Sequence, residues 1–277
     1  MMLSLTFPLI DPVAVQLGPF GIRWYALAYI TGLMLGWRIV KFLVARPPNA
    51  LSQEQVDDFL VWATMGVVLG GRLGYVIFYK PLYYLANPLE IPMVWQGGMS
   101  FHGGALGVIF AIIAFSKMRG RNLFQVGDVI CCVVPIGLFF GRIANFINGE
   151  LFGRIAPDAE LAMVFPHGGP FPRHPSQLYE AGLEGLVLFL VMMALWRFTD
   201  IRNRFGALSG VFLAGYGVAR IVCEFFRQPD AHLGFLWGGA TMGQLLSMPQ
   251  VAVGLILLIW AWRRNAPRSS CVKYDAR

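Results

Sequence analysis

Seven long apolar stretches, separated by short polar connections, dominate the pattern of hydrophobic and polar positions along the chain. A membrane-spanning helix needs about 20 predominantly apolar residues to cross a hydrocarbon core of about 30 Å. The pattern therefore predicts an all-α, polytopic integral membrane protein with about seven transmembrane helices. Ionisable residues inside the second and fourth stretches leave counts of six or eight helices open. The expected spans are Phe20–Leu43, Asp58–Tyr79, Met99–Met118, Val126–Asn145, Ser176–Trp196, Gly206–Phe225 and Thr241–Trp262.

Composition supports the membrane assignment. Of the 277 residues, 57% are hydrophobic and only 13% are charged, about half the share of an ordinary soluble domain. This excludes a disordered chain, a fibrous repeat and an ordinary cytosolic enzyme. The net charge of +7 does not indicate a nucleic-acid partner, because no basic run is interleaved with aromatic residues in a polar domain.

The basic residues indicate how the chain is oriented. They collect in alternate connections, in the stretches 41–46, 117–121 and 197–204, and again in the tail after residue 262. Cytoplasmic loops are enriched in Lys and Arg, so we expect a periplasmic N-terminus and a cytoplasmic C-terminus. The chain, 1–277, is then expected to be a single transmembrane domain with an outer, periplasmic cap formed mainly by about 146–175.

A few charged residues fall inside the expected spans, where charge is costly and usually functional. Arg72 lies late in the second span, Arg142 ends the fourth, and Arg220 lies late in the sixth. These three helices run outward, so all three guanidiniums are expected in the outer half of the membrane. His102, which opens the third span, and Tyr25, near the outer end of the first, are expected at a similar depth.

Each of these arginines alone could reach the interface or pair with an acid. Glu224 follows Arg220 by four residues and Tyr216 precedes it by four, so all three share a helix face. Three arginines at one depth favour an anion site, because guanidinium groups bind phosphate bidentately. A phospholipid headgroup is the simplest anion there. The candidate carboxylates are Glu150, Glu180, Glu184 and Glu224.

The densest polar segment lies where the fourth span leaves the membrane. Asn and Gly favour a turn or a broken helix end there, and non-helical backbone at membrane depth is tolerated only inside protein or beside a cavity. This favours a binding site, although a simple loop cap is the alternative. The segment reads Gly141-Arg142-Ile143-Ala144-Asn145-Phe146-Ile147-Asn148-Gly149-Glu150-Leu151-Phe152-Gly153-Arg154.

This segment resembles the signature of the prolipoprotein diacylglyceryl transferase family, Gly-Arg-x-(Gly/Ala)-Asn-Phe-x-Asn-x-Glu-x-x-Gly, from Gly141 to Gly153. Ala144 stands where many members carry Gly, and the loop before Arg173 is short for the family. The resemblance runs in order over nearly the whole chain. It also covers Arg23–Tyr25, Gly70–Tyr75, Gly97–Gly104, Arg173–Glu180 and Tyr216–Asp230.

The resemblance implies an enzyme of the bacterial plasma (inner) membrane whose active site faces the periplasmic half. Such a transferase moves the sn-1,2-diacylglyceryl group from phosphatidylglycerol to the lipobox cysteine thiol, in the signal peptide of prolipoproteins. A thioether forms and sn-glycerol 1-phosphate leaves. The implied partners are phosphatidylglycerol, the signal peptide and membrane lipid, with no nucleic acid, no metal and no cofactor.

The resemblance and the placement of the charges together give a set of candidate site residues. The expected catalytic residues are His102, Arg142 and Arg220. The expected substrate-binding residues are Tyr25, Arg72, Asn145, Glu150, Gly153, Tyr216 and Glu224.

Two questions stay open from the residues alone. The thiol must lose its proton to attack, and either His102 or an arginine-assisted route could accept it. A secondary transporter for an organic anion or a noncatalytic scaffold would also use seven helices. The clustering of ionisable residues in the outer half argues against the transporter, and the buried arginines argue against the scaffold.

Overall fold

The computed structural model of the chain describes residues 5–18, 20–229 and 234–264. Its strands are short and lie outside the long helices. β1 (Leu5–Thr6) pairs in parallel with β4 (Met163–Val164), and β2 (Val13–Leu17) forms an antiparallel hairpin with β3 (Phe20–Arg23). These pairings fix the N-terminal segment before the first helix begins.

Seven helical segments within the described residues are long and apolar enough to cross a membrane, which confirms the predicted number of spans. Large side chains on them, such as Leu69, Phe110 and Ile256, are exposed, as expected for surfaces that face lipid. A short helix, α3 (Pro81–Ala86), follows the second span. The spans are α1 (Trp24–Val44), α2 (Gln53–Phe78), α4 (Phe101–Met118), Leu123–Ile147, Ser176–Phe198, α9 (Ala207–Glu224) and α10 (Met242–Arg263).

Local structure sets the residues at which the first two spans begin. The first helix begins at Trp24, later than expected, because residues Phe20–Arg23 pair with β2 as a strand. The second begins at Gln53, earlier than expected. Ser52 and Gln55 form a capping box there, in which each side chain accepts a hydrogen bond from the other's backbone N–H, and this satisfies donors that a helix start leaves free.

The fourth span consists of two helices, α5 (Leu123–Cys131) and α6 (Val134–Ile147). Pro135 lies in the first turn of α6, where its missing N–H is tolerated but the helix cannot continue backward through it. Asn122 accepts hydrogen bonds from two backbone N–H groups at the start of α5. Arg142 lies on the second of these helices, α6.

The fifth span changes its helical form along its length. α7 (Ser176–Glu180) passes into a π-helical segment, Ala181–Val187, and then into α8 (Leu188–Phe198). Short π-helical insertions of this kind occur frequently at functional sites. Glu180 is the last residue of α7, directly before the π-helical segment, and Glu184 lies within that segment.

The chain divides into two compact units. The larger unit contains Met1–Ile39 and Ile130–Arg277, and the smaller unit contains Val40–Val129. In the smaller unit, α2 and α4 approach closely at Gly70, since a Cβ there would overlap the backbone of α4. In the larger unit, α9 and α10 approach in the same way at Gly210 and Gly254. Small residues allow such close packing between membrane helices.

Candidate active site

Two arginines from different helices of the larger unit meet two carboxylates of the fifth span. Arg142 Nε lies 2.7 Å from Glu180 Oε2, and Arg142 Nη2 lies 3.2 Å from Glu184 Oε2. Arg220 Nη1 lies 3.1 Å from Glu180 Oε1 and 3.5 Å from Glu184 Oε1. Each carboxylate therefore bridges the two guanidiniums, and α6, α9 and the fifth span meet at one charged site.

The charged site extends along α9 and into the segment after it. Arg220 Nη2 lies 2.5 Å from Glu224 Oε1, one helical turn further on, as the spacing of these residues predicts. Arg227 Nη1 lies 3.3 Å from Glu180 Oε1. We refer to these residues together as the arginine–glutamate cluster, which consists of Arg142, Arg220, Arg227, Glu180, Glu184 and Glu224.

The two kinds of side chain in this cluster differ in exposure. The side chains of Glu180 and Glu184 are fully buried, whereas those of Arg142 and Arg220 keep 16% and 14% of their surface accessible. The accessible part of this group therefore belongs to the two arginines and not to these two carboxylates. Paired guanidiniums suit a phosphate, which they bind through charge-assisted hydrogen bonds.

The fold of the fifth span explains how both carboxylates reach the arginines. Glu180 ends α7, and Glu184 lies in the π-helical segment, where residues four apart remain on nearly the same face. Gly185 packs directly against Phe139 of α6, and a Cβ on Gly185 would overlap Phe139. This close approach brings Arg142, one turn after Phe139, within reach of both glutamates.

A second polar group surrounds Asn145, one turn after Arg142 on α6. The Asn145 side chain is buried, and its Nδ2 donates to the Tyr25 hydroxyl and, at 2.9 Å, to Glu150 Oε1. Tyr29 stacks on Tyr25 with ring centroids 5.8 Å apart. Asn145 thus joins the start of α1 to the loop after α6. Glu150 pairs with this amide rather than with an arginine of the cluster.

The loop after α6 is held by the start of the fifth span. Leu151 has a φ of 57°, a conformation that is uncommon for a residue with a branched side chain. Ser176 Oγ donates to the Leu151 carbonyl at 3.0 Å, and Gln177 Nε2 donates to the Glu150 carbonyl at 2.6 Å. Both of these side chains are fully buried, so they anchor the loop after α6 to the start of the fifth span.

Gly153 is confined between backbone carbonyls. Its N–H donates to the His174 carbonyl at 2.8 Å, and a Cβ would overlap that oxygen and the Phe226 carbonyl. Only glycine fits here, so the contacts favour a packing role, and direct substrate contact by Gly153 stays a prediction.

Burial lowers the pKa of the His174 imidazole below its ordinary value, which keeps the ring uncharged at neutral pH.

Arg72 belongs to the smaller unit, where it is buried. Its Nε donates to the Ile91 carbonyl at 2.7 Å, its Nη2 to the Glu90 carbonyl at 2.7 Å and its Nη1 to the Gly97 carbonyl at 2.5 Å. The guanidinium also lies 5.1 Å from the centre of the Tyr84 ring. These contacts favour an anchoring role for the loop between α2 and α4. Direct substrate contact by Arg72 stays a prediction.

His102 lies in the first turn of α4, also in the smaller unit. Ser100 caps this helix by accepting a hydrogen bond from the Gly103 N–H at 3.2 Å. The His102 ring is exposed and packs edge-on against Phe101, with centroids 5.7 Å apart. Among the described residues, no hydrogen-bond partner orients its nitrogens. A role as the base therefore stays a prediction.

Several members of the site are not evident from the sequence, or only in part. Glu180 and Glu184 were candidates only as partners of the arginines, and neither Arg227 nor Thr241 stood out. Thr241, the N-cap of α10, donates its hydroxyl to Glu224 Oε2 at 2.7 Å. The signal that could have found the first pair was present: two carboxylates four residues apart in an otherwise apolar span.

Fold and site together define a multi-pass membrane protein in which buried carboxylates hold a pair of accessible arginines. The sequence model of the family "Prolipoprotein diacylglyceryl transferase" matches residues 12–260. The chain is 82% identical to a phosphatidylglycerol–prolipoprotein diacylglyceryl transferase of Paramagnetospirillum magneticum, over 96% of this chain and 99% of that protein. A protein of the same name from Rhodospirillum rubrum is 60% identical over 96% and 97% of the two chains. The chain therefore belongs to the prolipoprotein diacylglyceryl transferase family.

Proposed function

We propose that the chain transfers the sn-1,2-diacylglyceryl group of phosphatidylglycerol to the lipobox cysteine in the signal peptide of a prolipoprotein. The thiolate attacks the glyceryl carbon that bears the phosphate ester, a carbon–sulfur bond forms, and sn-glycerol 1-phosphate leaves. Family membership supports the reaction, and the arrangement of Arg142 and Arg220 fits it. Membership also favours this transferase over an organic-anion transporter or a noncatalytic scaffold.

The single observation that carries the proposal is the shared, accessible arginine pair. Arg142 and Arg220 are bridged by the same two carboxylates, and both keep part of their surface accessible. Their guanidiniums hold the phosphate and stabilise the negative charge that grows on the leaving group. Preorganised donors of this kind are commonly the largest electrostatic contribution to catalysis.

The remaining site residues act around this pair. Tyr25 and Asn145 orient the lipid or the peptide, and Glu150 orders the loop that carries Gly153. Tyr216 lies one helical turn before Arg220 on the same face of α9. Glu224 fixes the direction of the Arg220 guanidinium through their ion pair. In the smaller unit, Arg72 anchors the loop before α4, and α4 is the helix that carries His102.

The group that accepts the thiol proton is either His102 or a base in an arginine-assisted route. A thiol has an ordinary pKa of about 8.5 and needs a positioned base to react fast at neutral pH. His102→Gln distinguishes the two routes, because a substantial residual rate would assign the proton to another group.

We also propose that the protein resides in the bacterial inner membrane, with its N-terminus and active site toward the periplasm and its C-terminus in the cytoplasm. Basic residues in alternate connections support this orientation. Residues 146–175 then form the outer cap of a single transmembrane domain.

Turnover by the purified protein tests the reaction. Labelled phosphatidylglycerol and a lipobox peptide should yield a thioether-linked product, detected by mass spectrometry. Arg142→Ala and Arg220→Ala should each lower kcat/KM by at least about 100-fold, the effect of removing an oxyanion donor. Arg263→Ala, which removes an exposed arginine at the end of α10, is the matched control and should keep the rate. Absence of product from folded wild-type protein would contradict the proposed function.

A further inference from the structure

The arginine–glutamate cluster is balanced in charge before any ligand binds. Its cations are three arginines and its anions are three glutamates. A phosphodiester would bring one more negative charge among side chains that are mostly buried. An uncompensated charge in such surroundings is strongly unfavourable. The balance is kept on binding if one carboxylate takes up a proton or leaves the site.

Glu184 is the carboxylate best placed to do so. Its two oxygens lie 3.2 Å from Arg142 Nη2 and 3.5 Å from Arg220 Nη1, so it occupies the two guanidiniums as two phosphate oxygens would. Glu180 is held at shorter distances by the same arginines and also by Arg227. Of the two bridging carboxylates, Glu184 is the one that accepts hydrogen bonds from both Arg142 and Arg220, whereas Glu180 accepts one from Arg227.

The groups around Glu184 leave the carboxylates as the natural proton acceptors. Arginine stays charged at all physiological pH values, and tyrosine and thiol side chains are ordinarily neutral at pH 7. Glu224 is fixed by Thr241 and by its close pair with Arg220. The titratable neighbours of Glu184 are Arg142 from α6, Tyr216, Arg220 and Cys223 from α9, and Glu180 from its own segment.

We infer that Glu184 holds the arginine pair in the empty site and takes up one proton when a lipid phosphodiester binds to Arg142 and Arg220. The neutral carboxyl group then releases both guanidiniums to the phosphate, and the cluster keeps its charge balance. The proton comes from solvent and returns there when the product leaves. This inference rests on the proposed function, which supplies the phosphodiester.

The coupling has a definite sign. Below the pKa of Glu184 in the empty site the proton is already present, and lipid affinity does not depend on pH. Above that pKa each molecule bound must take a proton from solution, so affinity falls as pH rises, by up to about tenfold per pH unit for one proton.

The first experiment measures the KM for phosphatidylglycerol between about pH 6 and 9, with the lipobox peptide held constant. Wild type should show a KM that rises with pH, and Glu184→Gln should show a lower KM with a flat pH profile. The exposed control Glu160→Gln should keep the wild-type slope. A slope that persists in Glu184→Gln, or that disappears in Glu160→Gln, would overturn the assignment.

The second experiment needs no variant and no turnover. Calorimetric titration of the wild-type protein with phosphatidylglycerol, in buffers of different ionisation enthalpy, counts the protons taken up. At pH values above the pKa of Glu184 in the empty site, about one proton should be taken up per lipid bound. Diacylglycerol, which lacks the phosphate, should cause no proton uptake. Inorganic phosphate, which lacks acyl chains, should bind far more weakly.

The outcomes separate the two proposals. Thioether formation without proton uptake, or equal uptake with diacylglycerol, would overturn the role of Glu184 and leave the transferase function intact. Equal affinity for inorganic phosphate would overturn the assignment of the ligand as a lipid. Proton-coupled lipid binding without any product would instead contradict the proposed reaction.

Discussion

The buried carboxylates decide where each guanidinium of the cluster points. Arg220 directs Nη2 toward Glu224 and Nη1 toward Glu180 of the fifth span. Removing one partner of a buried ion pair costs about 3–5 kcal/mol, because the other charge is left uncompensated. A residue that touches only a carboxylate can therefore change the direction of an arginine without contacting any substrate.

Thr241 is such a positioning residue, and Thr241→Val tests it. The substitution keeps the shape but removes the hydroxyl that donates to Glu224 Oε2. Hydrogen bonds to charged groups contribute about 1.5–3 kcal/mol, and each 1.36 kcal/mol in the barrier is about tenfold in rate. We expect kcat to fall by about tenfold, with a smaller change in KM, and Thr241→Ser to restore most of the loss.

Gln244→Ala is the matched control for this experiment. Gln244 completes the capping box of α10 with Thr241, and no hydrogen bond joins it to Glu224 among the described residues. Its loss should cost about 1 kcal/mol of stability, as caps do, and should leave kcat unchanged. Equal losses of kcat in both variants would assign the effect to the cap.

The sequence predicts the cations of the site better than their partners. Arg142 and Arg220 stand out because charge inside a span needs a reason, and the spacing of Arg220 and Glu224 predicts their ion pair. The choice among the other acids depends on the packing of α6 against the fifth span. Glu150 was an equal candidate, yet it accepts its hydrogen bond from Asn145.

Among the elements, apolar length predicts the helices but not their irregularities. The break before α6 can be predicted from Pro135, because proline lacks the backbone N–H that an uninterrupted helix would need at this position. The π-helical segment Ala181–Val187 is different, because its residues are compatible with an ordinary α-helix. Its form follows from tertiary contacts such as that of Gly185 with Phe139, which no local pattern contains.

The pairing of α2 with α4 depends on glycine at the contact, and Gly70→Ala tests this dependence. The added methyl group would overlap the Gly103 carbonyl and the Gly107 backbone. Overpacking of this kind typically costs about 1–3 kcal/mol. We expect a lower Tm in detergent and, because α4 carries His102 in its first turn, a lower rate.

Gly104→Ala provides the control on the facing helix. A Cβ at Gly104 would make only ordinary contacts, 3.6 Å from the Val67 carbonyl oxygen and 3.9 Å from its side chain. The Tm should therefore stay within a degree or two of wild type. A matching loss in both variants would show that any side chain in this region is disruptive, whatever its contact.

Across the whole molecule, the basic residues fall into two groups with different roles. Most cations lie in alternate connections and in the C-terminal tail, the pattern that favours a cytoplasmic location for both. The arginines of the cluster are instead paired inside the larger unit. The cluster occupies the late turns of α6 and α9, next to the loop that follows α6 and the segment that follows α9. If the orientation is as proposed, both connections face the periplasm, where the lipobox of a secreted precursor is presented.

Site-directed labelling tests this orientation. Asp158→Cys and Asp200→Cys replace two exposed aspartates, one after α6 and one between α8 and α9. Because basic connections stay in the cytoplasm, a membrane-impermeant maleimide added to intact spheroplasts should label the first and not the second, and lysis should expose both. The reverse pattern would place the cluster on the cytoplasmic side and remove its access to translocated precursors. The background must lack the native thiols, Cys131, Cys132, Cys223 and Cys271, the last of which lies outside the described residues.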